Sequence, residues 1–255
     1  MTNDAERGVS STSKLRIPGT TITNPLPVLN WALRRRGPLT STGCDHGGFF
    51  VTPSAKDRRD ALGPSKSTGP DLQMRFLAAR AVSADGMSSF AEFKKNKNHK
   101  DGFSFQAIVA RPHSTGSVLL ASKDPSDAPV INCGYLSDSR DLATLREGLK
   151  MGRQLAKAKA FEGYGGKEVF PGPEVATDDQ LDEYIKSSLH TSNALAGTCR
   201  MGADPTAVLD SHLRVKGVTG LRVADASVAP VIPGGQTGAM TYMVAERAAE
   251  FISNP

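Results

Sequence analysis

The order in which secondary-structure patterns occur along the chain is its strongest constraint on the fold. Strand-like segments come first, at Leu72 to Val82, Phe103 to Val109 and Gly116 to Leu120. Two amphipathic helices follow, then one short apolar strand, Leu221 to Ala224, and then a third helix. Strands and helices segregated in this way predict an α+β fold with a mixed or antiparallel sheet and flanking helices, whose last strand and helix return to a neighbouring layer.

Periodicity supplies the detail. Phe103, Phe105, Ala107 and Val109 alternate with Ser104, Gln106 and Ile108, so one face of that strand is apolar and the other mixed, and a mixed face can line a pocket. The helical stripes are Leu142, Leu145, Leu149, Gly152 and Ala156; Leu181, Tyr184, Ile185 and Leu189; and Met240, Met243, Val244, Ala248 and Phe251. Thr177 with Gln180 three residues on predicts a capping box for the second helix. Residues 1–30 read as a loop-rich lead-in, Trp31 to Leu33 as a short helical turn ended by Gly37-Pro38, and residues 55–70 as a polar loop long enough to cover or gate a site. No internal repeat is present.

Composition narrows the function classes. With 255 residues and 38% hydrophobic content there is room for one large domain or two small ones. The net charge of +5 is scattered apart from Arg34-Arg35-Arg36 and the Lys94 to Lys100 run, and no aromatic residues are interleaved, so nucleic acid is not an expected partner. No run of about 18 apolar residues exists, so no stable membrane span is expected. Cys44, Cys133 and Cys199 form an odd set without ligand spacing, which argues for a reducing compartment and against a disulfide framework or a metal site. Met1 leads into a polar stretch without the apolar core of a signal peptide. No Gly-x-Gly-x-x-Gly follows a leading strand, so the usual seat for a dinucleotide pyrophosphate is missing.

The C-terminal segment carries the chemistry. Val223 ends the apolar strand, Asp225 follows, and Gly234-Gly235 allow close backbone approach to a flat ligand before Thr237 opens a helix. A helix N-terminus aimed at such a ring stabilises negative charge on it. The plainer reading is a strand-loop-helix connection with glycines for turn geometry. Arg75, in a strand-like run with Met74 and Phe76, needs an anionic partner if buried, either an internal Asp or a ligand carboxylate. Cys44 and Cys199 read by themselves as packing residues, and His190 as a histidine at the end of a helix.

Ala194 to Gly202, Gly220 to Ser227 and Ile232 to Thr237 resemble, in order and spacing, the flavin-facing C-terminal signature of the glucose-methanol-choline (GMC) oxidoreductase family. The resemblance implies FAD as cofactor, with Asp225, Ala226, Gly235, Gln236 and Thr237 beside it. It also implies that 31–218 is the substrate-binding domain with an active-site segment at 190–202, and that 219–255 is the last strand and helix of an FAD-binding α/β domain whose N-terminal segment lies outside this chain. Gly37 to Asp45, Asp71 to Phe76, Ala110 to Ser117 and Leu189 to Ala194 further resemble the light-driven fatty acid photodecarboxylase branch of that family, over roughly residues 30 to 253. By that likeness Cys44, Arg75, His190 and Asn193 are catalytic. Cys44 and Arg75 lie by the carboxylate of a fatty acid substrate, with Gln106 a nearby polar contact and Gln236 also on the substrate side. His190 and Asn193 form a water-linked pair at the flavin edge. The branch's Tyr in the carboxylate cluster is Phe90 here, which removes one hydrogen bond worth about 1 kcal/mol net. The branch also implies a chloroplast location.

One departure discriminates between chemistries. Where an alcohol-oxidising member carries its catalytic histidine this chain has Ala194, and where the family has His or Asn it has Gln236. Alcohol oxidation needs a base for the hydroxyl proton, commonly worth about 10² to 10⁴ in rate, and neither residue can serve. Decarboxylation needs instead a held carboxylate and a dry apolar channel. The alternatives are a GMC enzyme acting on CH-OH groups with His190 as base, and a truncated chain unable to bind FAD alone. An isolated chain of this kind is expected to be poorly stable, with an open sheet edge and an uncovered apolar helix face.

Overall fold

A computed structural model describes residues 2–4, 26–37, 40, 46–56, 69–77, 102–164 and 166–254. In chain order the elements are β1 (Thr2–Asp4), α1 (Leu26–Arg34), β2 (His46–Phe50), β3 (Leu72–Leu77), β4 (Gly102–Val109), β5 (Ser117–Leu119), β6 (Val130–Asn132), α2 (Ser139–Ala156), β7 (Glu168–Phe170), α3 (Asp178–Ser188) and α4 (Gly238–Ser253). They form two compact units, one of Met1–Ser67, Leu72–Val109 and Leu142–His190, the other of Thr68–Asp71, Ala110–Asp141 and Thr191–Pro255.

The first unit is built on an antiparallel five-stranded sheet in the order β2-β3-β4-β1-β7. Leu72 and Met74 of β3 and Phe103 and Phe105 of β4 are buried on one face, where Met151, Leu155 and Ala156 of α2 pack against them. Gly148 makes this approach possible. A Cβ added there would stand 2.7 Å from Ala107 Cβ and 2.9 Å from a Leu72 methyl, inside van der Waals contact. Phe76, Phe103, Phe105 and Phe161 complete the layer with ring centroids 5.0 to 5.9 Å apart, in the range where tilted and edge-on rings attract.

Arg153 closes the same unit. Its guanidinium reaches Glu168 of β7 at 2.9 Å, the Gly172 carbonyl at 3.0 Å and the Val175 carbonyl at 2.7 Å, tying α2 to the edge strand and to the turn before α3. The capping box forms as expected. Thr177 Oγ1 accepts from the Gln180 N–H at 3.2 Å and Gln180 Oε1 accepts from the Thr177 N–H at 3.0 Å. Leu181 and Ile185 are the buried residues of that helix.

In the second unit Leu209, Leu213, Val228, Val244 and Ala248 form the core, with Cys199, Met201, Val223 and Phe251 packed on it. Cys199 is thus a packing residue. Helix α4 buries Val244 and Ala248, while Tyr242 and Met243 are 79% and 62% exposed. Strands β5 and β6 form a separate ribbon with Leu119, Leu120 and Ile131 exposed.

Three expectations are corrected. Thr2–Asp4, within the stretch read as loop, is a strand between β4 and β7, because pairing on both sides defines it rather than its own periodicity. Helix α1 begins at Leu26 and runs for nine residues, not one turn, and ends where Arg35 and Gly37 turn to φ of 51° and 102°. The predicted strand from Leu221 to Ala224 is only a single bridge, Arg222 to Arg214, and Leu221 is half exposed. Gly217 and Gly220, both at positive φ, reverse the chain just before it, leaving too few residues in line for a ladder. The strand-like stretch from Leu72 ends at Leu77, with 78–82 outside the described residues.

Candidate functional site

Antiparallel register decides which predicted site residues meet. Arg75 of β3 is directly opposite Gln106 of β4, and Gly47 of β2 is opposite Arg75 on the other side. Opposed residues in such a ladder share a face with Cβ atoms about 5 Å apart, so Arg75 and Gln106 stand together. Their face is the one turned away from α2. The neighbouring row on that face is Phe49, Gln73 and Ile108, which sets apolar surface beside the polar pair.

Arg75 is half-buried, and among the described residues no carboxylate pairs with it. Arg146 and Arg153 of the same unit show the ordinary arrangement, with Asp182 and Glu168 as partners at 2.7 and 2.9 Å. A half-buried guanidinium with no acid beside it among the described residues, flanked by a glutamine and apolar side chains, is suited to a carboxylate ligand that carries an apolar chain. A small apolar cleft of about 130 Å³, lined by Gly48, Phe50, Met74, Phe76 and Leu155 among others, opens on the opposite, core face. Cys44 and Phe90 lie outside the described residues.

His190 lies two residues beyond the end of α3 and is exposed. Asn193 adopts φ of 60°, a conformation asparagine tolerates, with its N–H donating to Thr191 Oγ1 at 3.0 Å. Ala194 is half-buried. Its methyl group can take no proton.

The C-terminal motifs meet within the second unit. The Cys199 N–H donates to the Ser227 carbonyl at 3.0 Å and the Met201 N–H to the Val228 carbonyl at 2.9 Å, laying the Gly-Thr-Cys-Arg-Met segment along the Ala-Asp-Ala-Ser segment. Asp225 caps a 3₁₀ turn, Ala226–Val228, accepting from the Ser227 N–H at 2.7 Å. Hydrogen bonds from the Ser227 hydroxyl and backbone N–H hold its carboxyl below the usual carboxylate range. Gly235 closes a tight turn, its N–H 2.6 Å from the Pro233 carbonyl, and Gln236 is exposed beside it. Thr237 then starts α4 without capping it through its side chain, which leaves the first-turn N–H groups of a sixteen-residue helix without a side-chain acceptor. That donor set and the positive end of the helix fit an anionic ring edge such as that of a reduced flavin. Among the described residues no cluster of His, Cys, Asp and Glu could hold a metal ion, and no helix is long and apolar enough to cross a membrane.

Arg111, which no local sequence pattern marks, sets its guanidinium against Gly234 of this loop. What marks it is a pair of glycines distant in sequence, Gly69 and Gly234, neither of them at positive φ.

Residues 112–245 match the model of the GMC oxidoreductase family. The chain is 44% identical over 232 residues to the chloroplastic fatty acid photodecarboxylase of Chlamydomonas reinhardtii, covering 88% of this chain and 36% of that protein. It is 34% identical over 229 residues to an alcohol dehydrogenase (acceptor) of Pseudomonas putida, covering 88% and 37%. The chain therefore spans about a third of the length of these relatives. The formate oxidase of Aspergillus oryzae RIB40 superposes with a TM-score of 0.80 at 23% identity, over 99% of this chain and 45% of that one, a likeness of fold. An α+β unit with an antiparallel sheet and flanking helices, the paired C-terminal motifs and these matches lead to one conclusion: the chain belongs to the GMC oxidoreductase family.

Proposed function

We propose that the chain is the substrate-binding part of an FAD-dependent enzyme that decarboxylates fatty acids to alkanes or alkenes under light. The observation that carries this reading is Arg75, half-buried beside Gln106 and without an acidic partner among the described residues. Arg75 receives the substrate carboxylate, and Gln106 and Cys44 complete its hydrogen bonds, with Phe90 contributing apolar surface only. Phe49 and Ile108 begin the channel for the alkyl chain. FAD, when bound, supplies the light absorption and the one-electron oxidation that releases CO₂. Asp225, Ala226, Gly235, Gln236 and Thr237 hold it, the last three through the open N-terminus of α4. His190 and Asn193 hold a water at the flavin edge. In this arrangement 31–218 is the substrate-binding region and 219–255 its return to the FAD-binding domain.

Ala194 favours this reading over alcohol oxidation, because no other group is offered at that position to take a hydroxyl proton. The Chlamydomonas relative is chloroplastic, and the proposal extends that location to this protein as a plastid enzyme. The rival is a dehydrogenase of alcohols like the Pseudomonas relative, with His190 as base. Full-length protein given carboxyl-labelled palmitate separates the two. Labelled CO₂ released only under blue light supports the proposal; flavin reduction by alcohols in the dark, with no CO₂, refutes it.

A further inference from the structure

Gly69 and Gly234 are far apart in sequence, yet both are shaped around one side chain. A Cβ on Gly69 would stand 2.4 Å from Arg111 Nη2 and 3.0 Å from its Cζ, and a Cβ on Gly234 would stand 3.2 Å from Arg111 Nε. Neither glycine has a positive φ, so backbone conformation does not require either of them. What both supply is the space the guanidinium fills. Three segments of the second unit, 68–71, 110–141 and 191–255, meet at this point. The Ala110 N–H bond to the Asp71 carbonyl, 2.8 Å, fixes the first two to each other and so anchors the base of Arg111. Two residues further on, the His113 and Ser114 N–H groups donate to the buried Asp141 carboxylate at 2.9 Å, fixing the other side. Arg111 thus projects from a doubly anchored segment onto Gly234, next to Gly235, Gln236 and Thr237.

We infer that Arg111 is a positioning residue: its guanidinium plane, held between Gly69 and Gly234, sets where the Gly234 to Thr237 loop lies, and through that loop the environment of the flavin. The second half of this inference rests on the proposed reading of the loop as flavin-facing. Among the described residues Arg111 donates no hydrogen bond and has no carboxylate partner, so its role here is one of shape. A flat guanidinium stacks on a Cβ-less backbone in a way the rounded ammonium of lysine does not.

Two measurements on the full-length flavoprotein test the two halves separately. In Arg111→Ala, hydrogen exchange at the amides of residues 234–237 is expected to rise by about 10-fold, while that of the core residues Val244 and Ala248 stays unchanged. Arg111→Lys does not restore protection. Gly69→Ala displaces the flexible end of Arg111 and gives a similar increase, and the double variant is no faster than either single one. The visible flavin band shifts in all of them. Unchanged exchange in Arg111→Ala, or additive effects of the two substitutions, overturns the clamp. Faster exchange with an unmoved flavin spectrum overturns the loop's place beside the ring and leaves the clamp standing.

Discussion

Two half-buried arginines of the same unit give opposite predictions on removal. Arg153 is 19% exposed and its partner Glu168 16%, and the guanidinium also serves the Gly172 and Val175 carbonyls. Arg153→Met strands a partly buried carboxylate and two carbonyls. Breaking a buried pair costs about 3–5 kcal/mol, and the residual exposure reduces this to about 2–3 kcal/mol. Arg75 has no such partner among the described residues. Arg75→Met keeps the apolar stem and leaves no carboxylate of the described residues unpaired, so stability changes by less than about 1 kcal/mol. Its cost falls on binding, where losing a charge-assisted hydrogen bond is worth about 1.5–3 kcal/mol, a rise of about 10- to 150-fold in Kd. Urea unfolding and palmitate titration of both variants in full-length protein measure the contrast. If Arg75→Met lost as much stability as Arg153→Met while palmitate bound as before, Arg75 would be a structural ion-pair residue and the reasoning would fail.

Other outcomes follow from the same geometry. Thr177→Ala removes the acceptor for the Gln180 N–H at the start of α3 and is expected to cost about 1 kcal/mol in unfolding free energy, with exchange faster in the first turn of that helix. Gly148→Ala gains about 1 kcal/mol of helix propensity, but its Cβ would meet Ala107 at 2.7 Å, and overpacking of about 1–3 kcal/mol makes the net change destabilising by thermal unfolding. In the second unit Asp210 and Asp225 are held below the usual carboxylate range, Asp210 first by the Arg214 N–H and Asp225 first by the Ser227 hydroxyl. Their contribution is complete above the unfolded carboxylate pKa of about 4 and is lost as pH falls through the depressed folded values, so stability of this unit declines with acid below about pH 4. Asp225→Asn flattens part of that decline in a urea series from pH 7 to pH 3.

How much of this could be read from the sequence depended on how local the cause was. The Thr177 and Gln180 pair, the alternation through Phe103 to Val109 and the stripe through Leu145 depend on residues within a turn or two of one another, and each stands where expected. Thr2–Asp4 is a strand because β4 and β7 flank it, information held in residues distant in sequence. Leu221 to Ala224 has the composition of a buried strand, but the turn at Gly217 and Gly220 leaves it a single bridge. The site divides the same way. Arg75 and Gln106 were each singled out by resemblance, but that they share a row follows only from the β3-β4 register, which neither strand's own pattern determines. Arg111 has no local signature, because the glycines that make room for it are distant in sequence.

In the proposed function the Arg75 face takes a carboxylate. A crystal structure of the full-length protein with bound palmitate tests it most directly. The expected result is a carboxylate oxygen within about 3 Å of the Arg75 guanidinium, with the Gln106 side chain alongside and the alkyl chain leaving past Phe49 or Ile108. A fatty acid bound elsewhere, with Arg75 paired to an acidic residue of the protein, would contradict it.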